Sequence, residues 1–241
     1  MQDKEKEREF FDRIAVNERR FEYFSRHAFE KIFAEFSSFC RPGKDSSIAD
    51  FGCGSGEFTK KLAEISRNVT AFDISPECIK IAKEEVKGAT FRVADAENTP
   101  FGPDSFDIVT CISLLHHFSD LTGVLNEAQR VLKPGGKLFA VDSNKRNPIL
   151  WLYRCSESPF YSSRGISPNE RLLTAQELTR KLHEAGFEAR VLAIAPLYYS
   201  KARSLPKICV HANNLFEFFL SLSPIAYERF GSFLFTYAEK K

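Results

Sequence analysis

Short apolar runs alternate with amphipathic segments along most of the chain. The runs that we interpret as buried strands are 47–51, 68–73, 90–94, 105–111, 137–142, 187–194 and 231–238. Between them, apolar residues recur at helical spacing, as Phe58, Leu62 and Ile65 do after the first run. Strands that alternate with helices predict an α/β fold with a mostly parallel sheet.

Residues 4–39, ahead of the first run, are predicted to be helical. Phe24, Ala28, Ile32 and Phe36 are spaced to form one apolar face, and the helix is expected to end before Arg41-Pro42-Gly43. Such a face usually packs into the core. Two helix starts are marked more sharply: Ser75 precedes Pro76, and Thr174 forms a capping box with Glu177.

The first strand leads into a glycine-rich turn that reads Asp50-x-Gly52-x-Gly54-x-Gly56. A strand that breaks into glycines before a helix is typical of nucleotide sites, because glycine accepts positive φ and lets a ligand approach the backbone. Dinucleotide folds require G-x-G-x-x-G, and the third position here is Glu57. That carboxylate would repel a pyrophosphate. The turn therefore favours a ligand without phosphate that carries a cationic amine, over a nicotinamide dinucleotide.

The second strand ends in Asp73, whose carboxylate could accept hydrogen bonds from both hydroxyls of a ribose. The third run is followed by Asp95-Ala96, and a later helix is followed by Val131-Leu132-Lys133-Pro134-Gly135-Gly136. Taken with the glycine turn, these motifs resemble those of the class I S-adenosylmethionine-dependent methyltransferases. The resemblance covers about residues 44–195 and is strongest to the branch of small-molecule and quinone-biosynthesis enzymes.

The resemblance implies a Rossmann-like, seven-stranded sheet in the order 3-2-1-4-5-7-6, with an antiparallel last strand. It implies S-adenosylmethionine as cofactor and S-adenosylhomocysteine as product. The residues expected to bind the cofactor are Asp50, Gly52, Cys53, Gly54, Gly56, Asp73, Ile74, Asp95, Ala96 and Cys111. Within this group, the acid at Asp95 would accept from the adenine amine. The helix before the first strand would cap the cofactor, with Arg20 and Tyr23 facing the site.

Two candidate catalytic residues follow strands on the acceptor side. His116 and His117 come after the fourth strand, where ligands bind in open α/β sheets, and a neutral histidine can take a proton. We expect His116 to act on the acceptor and His117 to hold the loop or to contact the acceptor. Asp142 ends the fifth strand and is expected at the pocket rim, as a base or an orienting group, or else as a loop cap. The exit lacks the Asn/Asp-Pro-Pro-aromatic motif of base methylases, which argues against nucleic acid.

We expect one methyltransferase domain over 1–241, with an N-terminal helical cap at 1–43 and a cofactor-binding core at 44–142. Segments 143–173 and 197–228 would be substrate-side insertions, the first of them an aromatic lid. The chain has 24 phenylalanines against one Met and one Trp, and many lie outside the core. This excess favours an apolar, lipid-like or quinone-like acceptor. A polar or protein acceptor, a non-catalytic cofactor-binding protein and methylation at C, N or O all stay open.

Composition narrows the remaining choices. The net charge is +2, which does not indicate a nucleic-acid partner. The six cysteines show no metal-binding spacing, so no metal is expected, and they suggest free thiols in a reducing compartment. The N-terminus is charged and lacks a signal peptide, and no run is long enough to span a membrane. We therefore expect a cytoplasmic protein with at most peripheral membrane contact. Residues 215–222, apolar nearly all round, would be buried, face the acceptor or form a homodimer.

Overall fold

The computed structural model describes residues 3–18, 24–163, 165–194 and 207–241. The helices are α1 (Lys4–Glu18), α2 (Arg26–Cys40), α3 (Glu57–Ile65), α4 (Pro76–Glu85), α5 (Thr122–Val131), α6 (Pro148–Arg154), α7 (Ala175–Glu184), α8 (Lys207–Ser221) and α9 (Pro224–Phe230), with a 3-10 turn at Leu115–His117. The strands are β1 (Ser47–Phe51), β2 (Asn68–Asp73), β3 (Ala89–Val93), β4 (Phe106–Ile112), β5 (Leu132–Ser143), β6 (Phe187–Ile194) and β7 (Phe233–Lys240).

The strands form one sheet in the order β3-β2-β1-β4-β5-β7-β6. The strands from β3 to β5 pair in parallel, whereas β7 runs antiparallel to both β5 and β6. The predicted strand order and the antiparallel last strand are confirmed. Because the sheet is covered on both faces, its central strands are mostly apolar on both sides, with Asp50 and Thr110 as buried exceptions.

The two faces of the sheet carry separate apolar clusters. On one face, Ile48 and Phe139 pack with Phe36 of α2 and Leu62 of α3. On the other, strand residues such as Val109 pack against the apolar sides of α5 and α7. Neighbouring residues of a strand point to opposite faces, so Ile48 and the next residue in the chain enter different clusters. The carboxyl ends of the parallel strands are left to form a site.

Local capping signals predicted some helix starts correctly. The Ser75 hydroxyl accepts from the Cys78 N–H at 3.1 Å, and the Thr174 hydroxyl accepts from the Glu177 N–H at 3.2 Å. Ser119, which precedes the next helix, also has the residue type of a cap, but α5 starts only at Thr122, where the Asp120 carboxylate accepts the Thr122 N–H at 3.1 Å.

Two longer segments differ from their predictions. The N-terminal stretch forms two helices instead of one; Ser25 caps the second, and its hydroxyl accepts from the Ala28 N–H at 3.1 Å. Arg20 and Tyr23 lie outside the described residues. The predicted lid contains α6, which Asn147 caps by accepting from two backbone N–H groups. Of the segment 197–228, the described part forms α8 and α9.

A glycine at the start of α3 yields a test of the fold. Gly56 has φ of 88°, and a Cβ on it would lie 3.0 Å from Cγ2 of Val86 and 3.2 Å from Cβ of Ala82. We expect Gly56→Ala to lower the free energy of unfolding by more than the cost of a left-handed residue, about 1–2 kcal/mol. Gly135→Ala is the matched control, because its φ is 71° with nothing within 4 Å. Urea denaturation measures both variants, and equal losses would show that packing against α4 does not matter.

Candidate functional site

The glycine turn after β1 is fixed by the carboxylate at the end of β2. Gly54 donates its N–H to Oδ2 of Asp73 at 2.9 Å, and Ser75 donates its N–H to Oδ1 at 2.9 Å. Burial among protein atoms raises the pKa of Asp73 above its ordinary value, although the carboxylate is open to a cavity. A carboxylate has about four lone-pair directions, so two acceptor positions remain for a ligand.

Gly52 at the head of the turn must be glycine for a steric reason. Its φ is 66°, and a Cβ there would lie 2.5 Å from Cδ1 of Leu114, which enters from the end of β4. The preceding Asp50 is fully engaged by protein: Thr59 donates its hydroxyl at 2.6 Å and Thr110 at 2.8 Å. Burial raises the pKa of Asp50 to about 6. Asp50 thus joins β1 to α3 and β4 and holds the turn in shape.

A cavity of about 220 Å³ opens at the carboxyl ends of the strands. The predicted cofactor residues that line it are Asp50, Gly52, Cys53, Gly54, Asp73, Ile74, Asp95 and Ala96. Gly56 and Cys111 do not line it. Gly56 packs against α4, and the Cys111 side chain is fully buried in the core, where burial raises the pKa of its thiol well above the ordinary value. From β4 the lining comes instead from Ile112 and the two residues after it.

The first helix closes one end of this cavity. Nζ of Lys4 lies 2.6 Å from Oδ2 of Asp95 and 2.5 Å from Oε2 of Glu97. Burial opposes the charge of Lys4, yet its hydrogen bonds to the two acids outweigh this and raise its pKa. The acid expected at the adenine end is therefore paired with a lysine from the far N-terminus. Lys4 could not be picked out from the sequence pattern, because a charged first turn has the pattern of a solvated surface.

Two acidic residues of α1, Glu7 and Asp12, hold this helix in place. Buried Glu7 lies 2.8 Å from Nδ1 of His117 and accepts hydrogen bonds from Ser167 and Asn169. Burial opposes ionisation of Glu7, but these partners outweigh it and lower its pKa. Further along, Asp12 accepts the hydroxyl of Ser75 at 2.5 Å and so reaches the start of α4. His117 therefore holds the loop, which is one of the two roles expected for it, while it also lines the cavity.

His116 and Asp142 form a buried pair. Nδ1 of His116 is 2.8 Å from Oδ1 of Asp142, which also accepts the His116 backbone N–H at 3.0 Å. Burial lowers the pKa of His116 well below its usual value and raises the pKa of Asp142 to about 7. The rim position predicted for Asp142 is wrong, because this residue is fully buried and lies behind His116. His116 itself lines the cavity, with Nε2 as its remaining ring nitrogen.

One group in this region has the composition of a metal site. His116, His117 and Glu170 each bring one ligand atom to within 4.8 Å of the others. Each side chain is already engaged: the histidines with Asp142 and Glu7, and Glu170 in an ion pair with Arg154. A cation at this point would have to compete with the guanidinium, so the arrangement is that of an ion-paired cluster.

The lining of the cavity is rich in phenylalanine. The phenylalanines that line it are Phe10, Phe11, Phe24, Phe29, Phe58, Phe72, Phe118 and Phe233. Several come from the N-terminal segment and from β7, where the excess of phenylalanine was noted in the sequence. Residues 215–222, which were also proposed for the pocket, are absent from the lining formed by the described residues. Phe218 and Phe219 are instead 50% and 59% exposed.

The sequence of the chain matches a known family. Residues 49–140 match the family described as "Methyltransferase domain". A ubiquinone biosynthesis O-methyltransferase of Xanthomonas euvesicatoria pv. vesicatoria is 34% identical over 170 residues, which cover 67% of this chain and 71% of that protein.

Solved structures show the same fold. An S-adenosylmethionine-dependent methyltransferase of Thermotoga maritima superposes with a TM-score of 0.63 at 20% identity, over 98% of this chain and 100% of that one. Phosphoethanolamine N-methyltransferase 2 of Haemonchus contortus, in complex with S-adenosyl-L-methionine, gives 0.63 at 21% identity, over 88% of this chain and 52% of that one.

The residues that line the cavity near the glycine turn fit an adenosyl ligand that carries a cationic amine. Asp73 has acceptor capacity left for ribose hydroxyls, Gly52 and Gly54 line the cavity without side chains, and Glu57 lines it beside the turn. Carboxylates without a phosphate-binding lysine in the turn suit a cation better than a pyrophosphate.

Removal of the Asp73 carboxylate tests this assignment. We expect Asp73→Ala to weaken the binding of S-adenosylhomocysteine by about 1–3 kcal/mol, since ribose hydroxyls would lose their acceptor. Isothermal titration calorimetry measures the affinity, and circular dichroism checks that the variant folds. The same substitution at exposed Asp45 is the control and should leave affinity unchanged. Unchanged affinity for Asp73→Ala, or tight NAD binding by the wild type, would contradict the assignment.

Proposed function

The chain belongs to the class I S-adenosylmethionine-dependent methyltransferases, and we propose that it methylates an oxygen of a small, apolar, quinone-like acceptor. The observation that carries the proposal is the hydrogen bond between His116 and Asp142, because His116 lines the same cavity as the phenylalanines. An oxygen acceptor must lose a proton, and this pair can take it. The Xanthomonas relative, by its name, is an O-methyltransferase of ubiquinone biosynthesis, which supports the same choice.

S-adenosylmethionine, when bound, supplies a methyl group that its sulfonium charge already activates. What remains for the protein is alignment, exclusion of water and removal of the acceptor's proton; alignment alone can contribute roughly 7–11 kcal/mol. The buried turn between β1 and α3 holds one reactant, and the phenylalanine-rich lining holds the other. No acid is needed to activate the methyl donor, because the sulfonium charge already does so.

His116 performs the proton step in this proposal. Because burial keeps its pKa low, the ring is neutral near pH 7. An ionised Asp142 accepts a hydrogen bond from Nδ1–H, which leaves the lone pair of Nε2 for the acceptor hydroxyl. The imidazolium formed on proton transfer is stabilised by the same carboxylate. Asp142 does not line the cavity, so it is a positioning residue that acts through the ring.

We also propose that residues 143–173 cover the acceptor. Ser143, Arg154, Gly165 and Glu170 line the cavity, and Glu170 lies beside His116 and His117. The Arg154–Glu170 ion pair joins α6 to the loop before α7, and Glu7 of α1 holds the same loop. A cover built from polar contacts around a phenylalanine-rich lining suits a ring that carries a few oxygens.

Replacement of the proposed base is the direct test. We expect His116→Ala to lower kcat by about 10²–10⁴ with a phenolic quinone precursor, because general base catalysis contributes roughly that factor. S-adenosylhomocysteine affinity should change little, since the cofactor contacts lie on β1 and β2. His183→Ala, at an exposed position on α7, is the control. Wild-type turnover by His116→Ala across phenolic acceptors would refute the proposed role.

The pH dependence of kcat/KM follows from the pair. Burial raises the pKa of Asp142 to about 7, and a proton bound to the pair removes the free lone pair on Nε2. Activity should therefore be low below pH 7, rise as pH passes through about 7 and then level off. In Asp142→Asn the step should vanish and turnover should fall, because the amide does not titrate. A step that survives unchanged in Asp142→Asn would assign it to another group.

A further inference from the structure

Helix α8 buries two polar residues and exposes several large apolar ones. Asn213 and Glu217 are fully buried, although their side chains are polar or acidic. The exposed large apolar residues of α8, its following turn and α9 are Ile208, Leu215, Phe218, Phe219, Leu222 and Ile225, each at least half exposed. We call these six residues the α8–α9 apolar face. Contiguous apolar surface on a folded protein marks an interaction site.

This orientation is fixed by specific bonds. Oε1 of Glu217 accepts from the N–H and the hydroxyl of Ser232 at 2.7 and 2.6 Å, and from Nδ2 of Asn147 at 3.4 Å. Any rotation of α8 that buried Phe218 and Phe219 would remove Glu217 from these donors. A carboxylate withdrawn from such bonds loses its solvation without replacement. The apolar face is therefore held outward by the fold itself.

The exposed charges at the two ends of this face are mostly basic. Within residues 207–230, Lys207 and Arg229 are exposed, and Glu228 is the only exposed acid. A cationic border around Phe, Leu and Ile is the composition of a helix that lies in a membrane interface and attracts anionic lipid.

We propose that the α8–α9 apolar face docks peripherally on an anionic lipid bilayer. Helix α8 has 15 residues, and no helix in the described part of the chain is long and apolar enough to cross a membrane. Docking therefore places the axis of α8 along the bilayer surface, with the aromatic rings among the acyl chains and the cations at the headgroups. A second copy of the chain would need a matching apolar face but no anionic charge, which is why the basic border favours lipid.

The face is also connected to the cavity wall. On the inner side of α8, Cys209 and Val210 belong to the same apolar cluster as Phe24 and Phe233, which line the cavity. The inner side of α8 and these cavity phenylalanines thus belong to one continuous apolar cluster. An apolar acceptor could enter from the bilayer without crossing water, a step that rests on the proposed function, whereas the docking itself does not.

Vesicle flotation tests the docking without cofactor or acceptor. We expect the wild-type chain to float with vesicles of phosphatidylcholine and phosphatidylglycerol, weakly with phosphatidylcholine alone, and less at high salt. The double variant Phe218→Ser with Phe219→Ser should lose at least about tenfold in partition coefficient. Lys207→Glu should weaken binding to the anionic vesicles only. The matched control is Phe160→Ser, whose ring is 62% exposed and does not belong to the α8–α9 apolar face.

Binding of S-adenosylhomocysteine by each variant shows that it is folded. The proposal is overturned if the wild type ignores anionic vesicles or if Phe160→Ser loses as much as the double variant. It is equally overturned if the wild type is a dimer by sedimentation equilibrium, the double variant is a monomer, and neither protein binds lipid. A chain that binds vesicles yet methylates only polar acceptors would refute the proposed function and leave the docking surface in place.

Discussion

Burial of carboxylates at one edge of the sheet is the constraint on which the rest of the site depends. Parallel strands deliver Asp50, Asp73 and Asp142 to that edge, and the segment after β3 adds Asp95. Isolated buried carboxylates are unstable, and here burial raises the pKa of the first three. Asp50 accepts from the Thr59 and Thr110 hydroxyls, and Asp73 accepts from the Gly54 and Ser75 amides. Asp95 pairs with Lys4, and Asp142 pairs with His116. Each type of partner sets what its acid can do.

The difference between these partners explains why one carboxylate works with a base while another shapes a loop. Asp50 spends both oxygens on hydroxyl groups and is left with a structural role. Asp73 spends one lone pair of each oxygen on a backbone amide and keeps the rest for a ligand. Asp142 bonds a titratable ring, while its Oδ2 is buried without a hydrogen-bond partner among the described residues. Burial raises the pKa of this carboxyl to about 7, which is the origin of the expected pH step.

The sequence predicted best where the physics is local. Ser75 and Thr174 cap helices because their hydroxyls reach amides three residues away, and Gly52 follows a strand because the turn requires positive φ. The strand order required the family resemblance, since no local pattern specifies it. The contacts of Lys4 and Glu7 were not predicted, because their partners Asp95 and Ser167 lie 91 and 160 residues away in the sequence. The helix α6 did carry a local signal, Asn147 before Pro148, which was lost within a segment interpreted as a loop.

The orientation of α8 illustrates the limit of pattern reasoning most clearly. A run such as Leu215 to Leu222, apolar nearly all round, does not say which side faces inward. The choice is made by Glu217, because only one rotation brings its carboxylate to Ser232 and Asn147. One acid within an apolar helix would ordinarily point to water. Here the polar donors lie inside, so the acid turns inward and the phenylalanines turn outward. A buried polar contact of long range can therefore create an apolar surface, and the same chain that protects its carboxylates at the sheet edge exposes its aromatic rings at α8.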